Sequence, residues 1–295
     1  MTKIIASIVS YQPDLAQLNR LVSRIAHQVD TVLVIDNNST NFDKTKIAPD
    51  LPLNYLINDT NIGLASAYNQ AIDFARSNAA THLILFDQDS LPAPDMISSL
   101  LKALTSYNAD ALRAAAAGPN YTDIKGQSIS PFVRISGFKL QRVDCSDNEI
   151  IEIDHLISSG KLIDLRAISI VGKFTDELFI DYVDTEWGLR ARHNEMLLLG
   201  VGSAKMTHNI GEKAVQILGR QVVLHSPLRL YYQFRNQIWL MKQPWAGWRW
   251  RIIDIIRLIK LLIVLGVLVP NRRLNLPYIL KGIKDGVFSH MGKYK

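Results

Sequence analysis

The sequence predicts an α/β protein: a doubly wound, mostly parallel sheet followed by a helical C-terminal extension suited to associating with a membrane. Three observations carry this. Apolar runs of strand length recur at residues 3–10, 31–35, 53–57 and 82–87. Segments with helical periodicity alternate with them at 15–27, 64–76 and 96–104. The linkers leave room only for crossover connections, which make neighbouring strands parallel.

Residues 3–10 form the first strand, and Tyr11-Gln12-Pro13-Asp14 turns into a helix that places Leu18, Leu21, Val22 and Ile25 on one face. The β-branched run 31–35 is of the kind buried on both faces of a parallel sheet. It ends in Asp36-Asn37-Asn38-Ser39, where the acid can accept from the imino N–H of a pyrimidine base or simply organise an Asx turn. A third strand at 53–57 leads through Asn58-Asp59-Thr60-Asn61-Ile62-Gly63 into the helix 64–76. The fourth strand stops at Asp87-Gln88-Asp89, and Pro92 and Pro94 prevent its continuation. Alternation points Asp87 and Asp89 to the same side, at the sheet edge where ligands bind. Hard carboxylate oxygens there suit Mg²⁺ or Mn²⁺ bridging a diphosphate; the alternative is a pair of solvated turn acids.

Residues 114–117 read as a short buried strand meeting a turn at Gly118-Pro119-Asn120, and 121–149 as a long connection with a hairpin around 132–143. A strand at 151–157 runs into Ser158-Ser159-Gly160, and 161–171 is strand or helix. Acids recur at Asp181, Asp184 and Glu186, with Trp187 and Leu189 packing at a helix start. Asp184 is either the cap of that helix or a base held near its N-terminus. A lone His208 is ordinarily structural. In the run 226–236, Arg229, Tyr232 and Arg235 recur every third residue, either as a solvated basic face or as guanidinium groups for phosphate.

With 48% apolar and 20% charged residues the 295-residue chain is no disordered polymer. A single cysteine, Cys145, excludes an internal disulfide and an all-cysteine zinc site. The opening apolar run is too short for a signal peptide, so a cytoplasmic setting is expected. The net charge of +6 is concentrated after Arg220, which suggests an anionic surface or substrate for the C-terminal part. The excess coincides with an amphipathic tail and not with aromatics on a sheet, so no nucleic acid is expected.

Taken together, Ser10-Tyr11-Gln12-Pro13-Asp14, Val34-Ile35-Asp36-Asn37-Asn38-Ser39, the helix opening Asn61-Ile62-Gly63 and Phe86-Asp87-Gln88-Asp89-Ser90 resemble the nucleotide-sugar half of glycosyltransferase family 2. These are inverting enzymes of the type A fold. The resemblance implies that Ser10, Tyr11, Asp36, Asn38, Asn61, Gly63, Asn69 and Asp87 line the nucleotide-sugar pocket, and that Asp87 and Asp89 hold the diphosphate through a metal. It implies further that Asp184 is the base, with Asp181 as the fallback because Val183 stands where many members carry an acid. Ser159, Gly160 and Trp187 would meet the acceptor. His208, in a His-x-x-Gly run ending at Gly211, would be a third ligand to the metal or diphosphate. The Arg229-x-x-Tyr232-x-x-Arg235-Asn236 run looks like that of bacterial rhamnosyltransferases, so dTDP-L-rhamnose is the expected donor, with Arg229 and Arg235 on its phosphates. A UDP-hexose donor, a sugar-1-phosphate nucleotidyltransferase and a silent assembly partner are the rivals; the second lacks its glycine-rich loop after the first strand.

Two domains are expected, a catalytic one at 1–225 and a helical region at 226–295. Within 239–269 the longest uncharged run is far below a membrane span. At 100° per residue, Arg249, Asp254, Arg257 and Lys260 fall within about 140°, opposite Ile252, Ile255, Ile256, Ile259, Leu262 and Ile263. With Trp245, Trp248 and Trp250 this reads as a helix lying on the inner face of the cytoplasmic membrane, near a polyprenyl-diphosphate-linked glycan acceptor. The alternative is an ordinary helix packed on the catalytic domain or on a second copy in a homodimer.

Overall fold

The computed structural model describes residues 2–123, 129–208, 214–217, 220–223, 225–265 and 272–295. Its first half follows the sequence pattern: β1 (Ile4–Ser10), α1 (Leu15–Ile25), β2 (Thr31–Asp36), β3 (Leu53–Ile57), α2 (Leu64–Ser77) and β4 (His82–Asp87). β1 pairs in parallel with β2 and β4, and β2 with β3. Every residue of β1 is buried, which explains why its run is nearly continuous in apolar residues. Its side chains alternate between two cores: Ile5 and Val9 join the layer under α2, and Ile4, Ala6 and Ile8 the layer under α1. That division makes the sheet doubly wound.

The second half adds β5 (Ser90–Pro92), α3 (Met96–Tyr107), β6 (Ala114–Asp123), β7 (Ile129–Ser130), β8 (Phe132–Ser136), β9 (Lys139–Val143), β10 (Ile150–Ile153), β11 (Lys161–Asp164), α4 (Ile168–Val171), α5 (Val183–His193) and β12 (Leu197–His208). β13 (Ala214–Ile217) and β14 (Arg220–Val223) form a separate hairpin, and α6 (Pro227–Met241), α7 (Trp248–Ile263) and α8 (Arg272–Phe288) close the chain. The main sheet runs β10-β12-β6-β11-β4-β1-β2-β3. β11 is antiparallel to both neighbours, whereas β12 is parallel to β6.

Three expectations change here. The strand at 114–117 does not turn at 118–120 but continues to Asp123. Pro119 is tolerated because the ladder jumps beside it, from Val201↔Pro119 to Lys205↔Asn120, so its missing N–H falls at an irregularity. The strand at 151–157 ends at Ile153, and 161–171 divides into β11 and α4. The hairpin at 132–143 forms as β8 and β9.

α8 lies close along α6, and its glycines permit the approach: a Cβ on Gly282 would sit 2.5 Å from the Tyr231 carbonyl oxygen and one on Gly286 2.6 Å from that of Arg235. α7 turns Asp254 inward, where it accepts from Gln237 Nε2 (3.1 Å) and Tyr182 Oη (3.3 Å). Asp254 therefore leaves the solvated arc assigned to it, and Ile252, Ile255, Ile256, Ile259 and Ile263 face outward. The expected continuation through 266–271 lies outside the described residues.

Candidate active site

A cleft of about 640 Å³ opens beyond the C-terminal ends of β1, β2 and β4. It brings together Ser10, Tyr11, Asn61, Gly63, Asp87, Asp89, Asp181, Asp184, His208 and Arg229, from segments far apart in the chain. That is the edge at which open α/β sheets bind ligands.

The carboxylates of Asp87 and Asp89 and a ring nitrogen of His208 lie within 4.8 Å of one another. Antiparallel pairing of β5 with β12 sets His208 opposite Ser90 and so delivers the imidazole. Ser90 Oγ lies 2.7 Å from His208 Nδ1 and 2.6 Å from Ser159 Oγ, which accepts from the Asp87 N–H at 3.1 Å. Tyr68 Oη donates to Asp87 Oδ1 at 3.1 Å. Burial pushes the Asp87 pKa up, with His208 pulling the other way. Two hard oxygens and one imidazole nitrogen, oriented by hydroxyl groups behind them, form a donor set that fits a divalent cation.

Asp181 lies within an unusual stretch, and Asp184 follows it: Phe179, Asp181 and Tyr182 have φ of 65°, 63° and 63°. Such φ values cost non-glycine residues energy, and they persist only where the surroundings hold them. Here Asn236 Nδ2 donates to the carbonyls of Leu178, Ile180 and Asp181 at 2.8–2.9 Å. Tyr182 then precedes α5 without a side-chain cap, so Asp184 is no N-cap. It stands in the first turn, accepts from the Thr185 N–H at 2.7 Å and faces the cleft. Asp181 is engaged by Arg229, with Nη2 3.1 Å from Oδ1. Burial raises the Asp181 pKa and Arg229 opposes the rise.

Several expected site residues are engaged by contacts within the protein. Arg235 is fully buried and donates to the carbonyls of Glu177 and Leu178 at 3.0 and 2.9 Å and to that of Gly292, so it is not on the cleft wall. Asn69 ties α2 to the Phe174 backbone and to Asp176. Asp36 is 1% exposed and is the acceptor of a turn, from Ser10 Oγ, Ser39 Oγ and the Ser39 N–H. Asn38 occupies the left-handed turn position at φ 68°, and Asn37 lines the cleft in its place. Ser159 braces the metal-site loop, while Gly160, at φ 79°, packs so tightly that a Cβ would lie 2.7 Å from Pro119. Trp187 is fully buried, its Nε1–H on the Gly172 carbonyl. Of the expected acceptor stretch it is Ser158 that lines the cleft. Gly211 lies outside the described residues. Sequence reasoning passed over Lys161, whose signal is a charge directly before the apolar pair Leu162-Ile163 in a four-residue strand. Burial pushes its pKa down to about 8.

The sequence profile of glycosyl transferase family 2 matches residues 8–157. A dTDP-rhamnosyl transferase, RfbF of Shigella flexneri, is 34% identical over 245 residues, covering 82% of this chain and 81% of that protein. Among solved structures, GalNAc-T7 with UDP, GalNAc and Mn²⁺ superposes with a TM-score of 0.61 at 12% identity, over 98% of this chain and 56% of that one. Residues 1–349 of S. aureus TarS in complex with UDP-GlcNAc give a TM-score of 0.59 at 14% identity, over 97% and 81%. The chain thus spans little more than half of the GalNAc-T7 chain.

Proposed function

We infer the reaction from one premise: the chain belongs to glycosyltransferase family 2. It transfers L-rhamnose from dTDP-L-rhamnose, with inversion, to a polyprenyl-diphosphate-linked glycan during synthesis of a bacterial cell-surface polysaccharide. The observation that supports the donor is the identity with the Shigella rhamnosyl transferase along four fifths of both chains.

In this reading Asp184, in the first turn of α5, accepts the proton of the acceptor hydroxyl as that oxygen attacks the anomeric carbon. Its position after a loop pinned by Asn236 keeps the carboxylate at one place in the cleft. Asp87, Asp89 and His208 would hold Mg²⁺ or Mn²⁺, which when bound would supply charge neutralisation for a diphosphate leaving group. Arg229, on the wall beside Asp181, adds a guanidinium for phosphate. The outward isoleucine face of α7 holds the enzyme on the anionic inner leaflet, where its lipid-linked acceptor resides.

The test supplies purified protein with labelled dTDP-L-rhamnose or UDP-hexoses, a lipid-linked acceptor and Mn²⁺ or Mg²⁺. Transfer from dTDP-L-rhamnose that chelation abolishes is expected, and Asp184→Asn should lower kcat by about 10²–10⁴-fold. Preference for a UDP-hexose would overturn the donor assignment.

A further inference from the structure

Lys161 opens β11 opposite Leu85 of β4. Opposed side chains of an antiparallel pair share a sheet face, and Asp87, two residues beyond Leu85, returns to that face. α5 covers it: Trp187 is buried there, and Asp184 stands three residues earlier on the same side of the helix. The Lys161 ammonium lies 5.5 Å from the Trp187 ring centroid and 5.8 Å from that of Phe174. The residue is 1% exposed, and no hydrogen-bond partner among the described residues reaches Nζ.

A buried ammonium without a hydrogen bond is costly, and a methionine would fill the same chamber without that cost. The charge is set toward carboxylates: Asp87 returns to its sheet face, Asp184 stands on the helix that covers that face, and both oppose the pull of burial on the ammonium. Both belong to the site. Building on Asp184 as the base, we propose that Lys161 is a positioning residue for the transfer. Its ammonium is an internal counter-cation that holds the Asp184 carboxylate in the cleft and offsets part of the negative charge presented by the metal site.

Removing the charge then has two effects of opposite sign. Asp184 loses the attraction that orients it, so turnover falls. Asp87 and its neighbours lose a competing positive charge, so a divalent cation binds more tightly. A residue that merely filled space would not tighten metal binding.

The experiment is Lys161→Met beside Lys161→Arg and Asp184→Asn. Expected for Lys161→Met are a melting temperature at or above that of the parent, kcat lower by about tenfold (about 1.4 kcal/mol) and a donor KM changed by less than about twofold. Mn²⁺ titrated without donor, read from the magnetic resonance signal of the free ion, should bind about threefold more tightly, an order-of-magnitude effect of one removed charge. Lys161→Arg should recover most of both. Parent-like kcat and parent-like Mn²⁺ affinity in Lys161→Met overturn the proposal. Retained transfer in Asp184→Asn instead overturns the base assignment, and the Mn²⁺ titration still decides whether Lys161 acts on the metal site.

Discussion

Arg229 and Arg235 carry the same guanidinium six residues apart on one helix, and the fold gives them opposite tasks. Arg229 stands in the first turn of α6, where the helix meets the cleft; Arg235 lies farther along, enclosed by α8 and the 177–181 loop. The spacing alone could not separate them, because what decides is the neighbour each meets. Arg235→Met should therefore remove from the Glu177, Leu178 and Gly292 carbonyls a charged donor that ties the 177–181 loop to the C-terminal segment, and lower stability by about 2–4 kcal/mol. Arg229→Met should chiefly raise the donor KM, with the smaller loss of melting temperature. Equal melting losses in the two variants would contradict the division. Gly63 makes the same point: its place before α2 was legible as a turn, but not its reason. At φ 86° a Cβ would lie 2.6 Å from the Phe179 ring, so Gly63→Ala should cost about 1–3 kcal/mol in denaturant titrations.

The element whose orientation the sequence left open is α7. Its periodicity defined an apolar and a polar arc, but periodicity names a stripe and not the surface that stripe meets. Of the polar arc, Asp254 turns inward because α6 offers it Gln237 and the strained loop offers it Tyr182, while Arg249, Arg257 and Lys260 stay exposed. The match is imperfect: Asp254 Oδ2 has no hydrogen-bond partner among the described residues, and burial pushes the Asp254 pKa up to about 6, with Arg257, Gln237 and Tyr182 drawing it back. A raised carboxyl pKa means that the folded protein binds more protons than the unfolded chain between about pH 4 and 6, so this group's contribution to stability falls as pH rises through that window. The penalty is absent below the unfolded pKa and complete above about pH 6, at most about 3 kcal/mol. Asp254→Asn should accordingly stabilise the protein at pH 7 and leave it nearly unchanged at pH 4, as read by urea denaturation at both. A gain of equal size at both pH values would assign the effect to packing.

At the scale of the molecule, the parallel half of the sheet and the cleft at its edge were legible because strand length, acidic strand tips and crossover length are local signals. The docking of α6 and α8 was not, since it depends on contacts such as Arg235 to Gly292 that join distant segments. That docking fixes the outer surface. With Asp254 buried, the outward face of α7 is Trp248, 59% exposed, and a row of isoleucines including Ile259 at 51%; α8 adds Leu274, Leu280 and Phe288. So many exposed apolar side chains are unfavourable in water, and Arg249, Arg257 and Lys260 on α7 suit anionic headgroups. No helix among the described residues is long and apolar enough to cross a bilayer. The expected state is a protein lying on the surface, with sedimentation against vesicles as the measurement. Vesicles rich in anionic phospholipid should bind it at least about tenfold better than neutral ones, and salt should weaken the binding. Ile255→Asp with Ile259→Asp should abolish the association while transfer to a water-soluble acceptor continues, since neither side chain lines the cleft. If the face is instead covered by a second copy, the protein will sediment as a dimer without lipid, and the double substitution will yield monomers indifferent to vesicles.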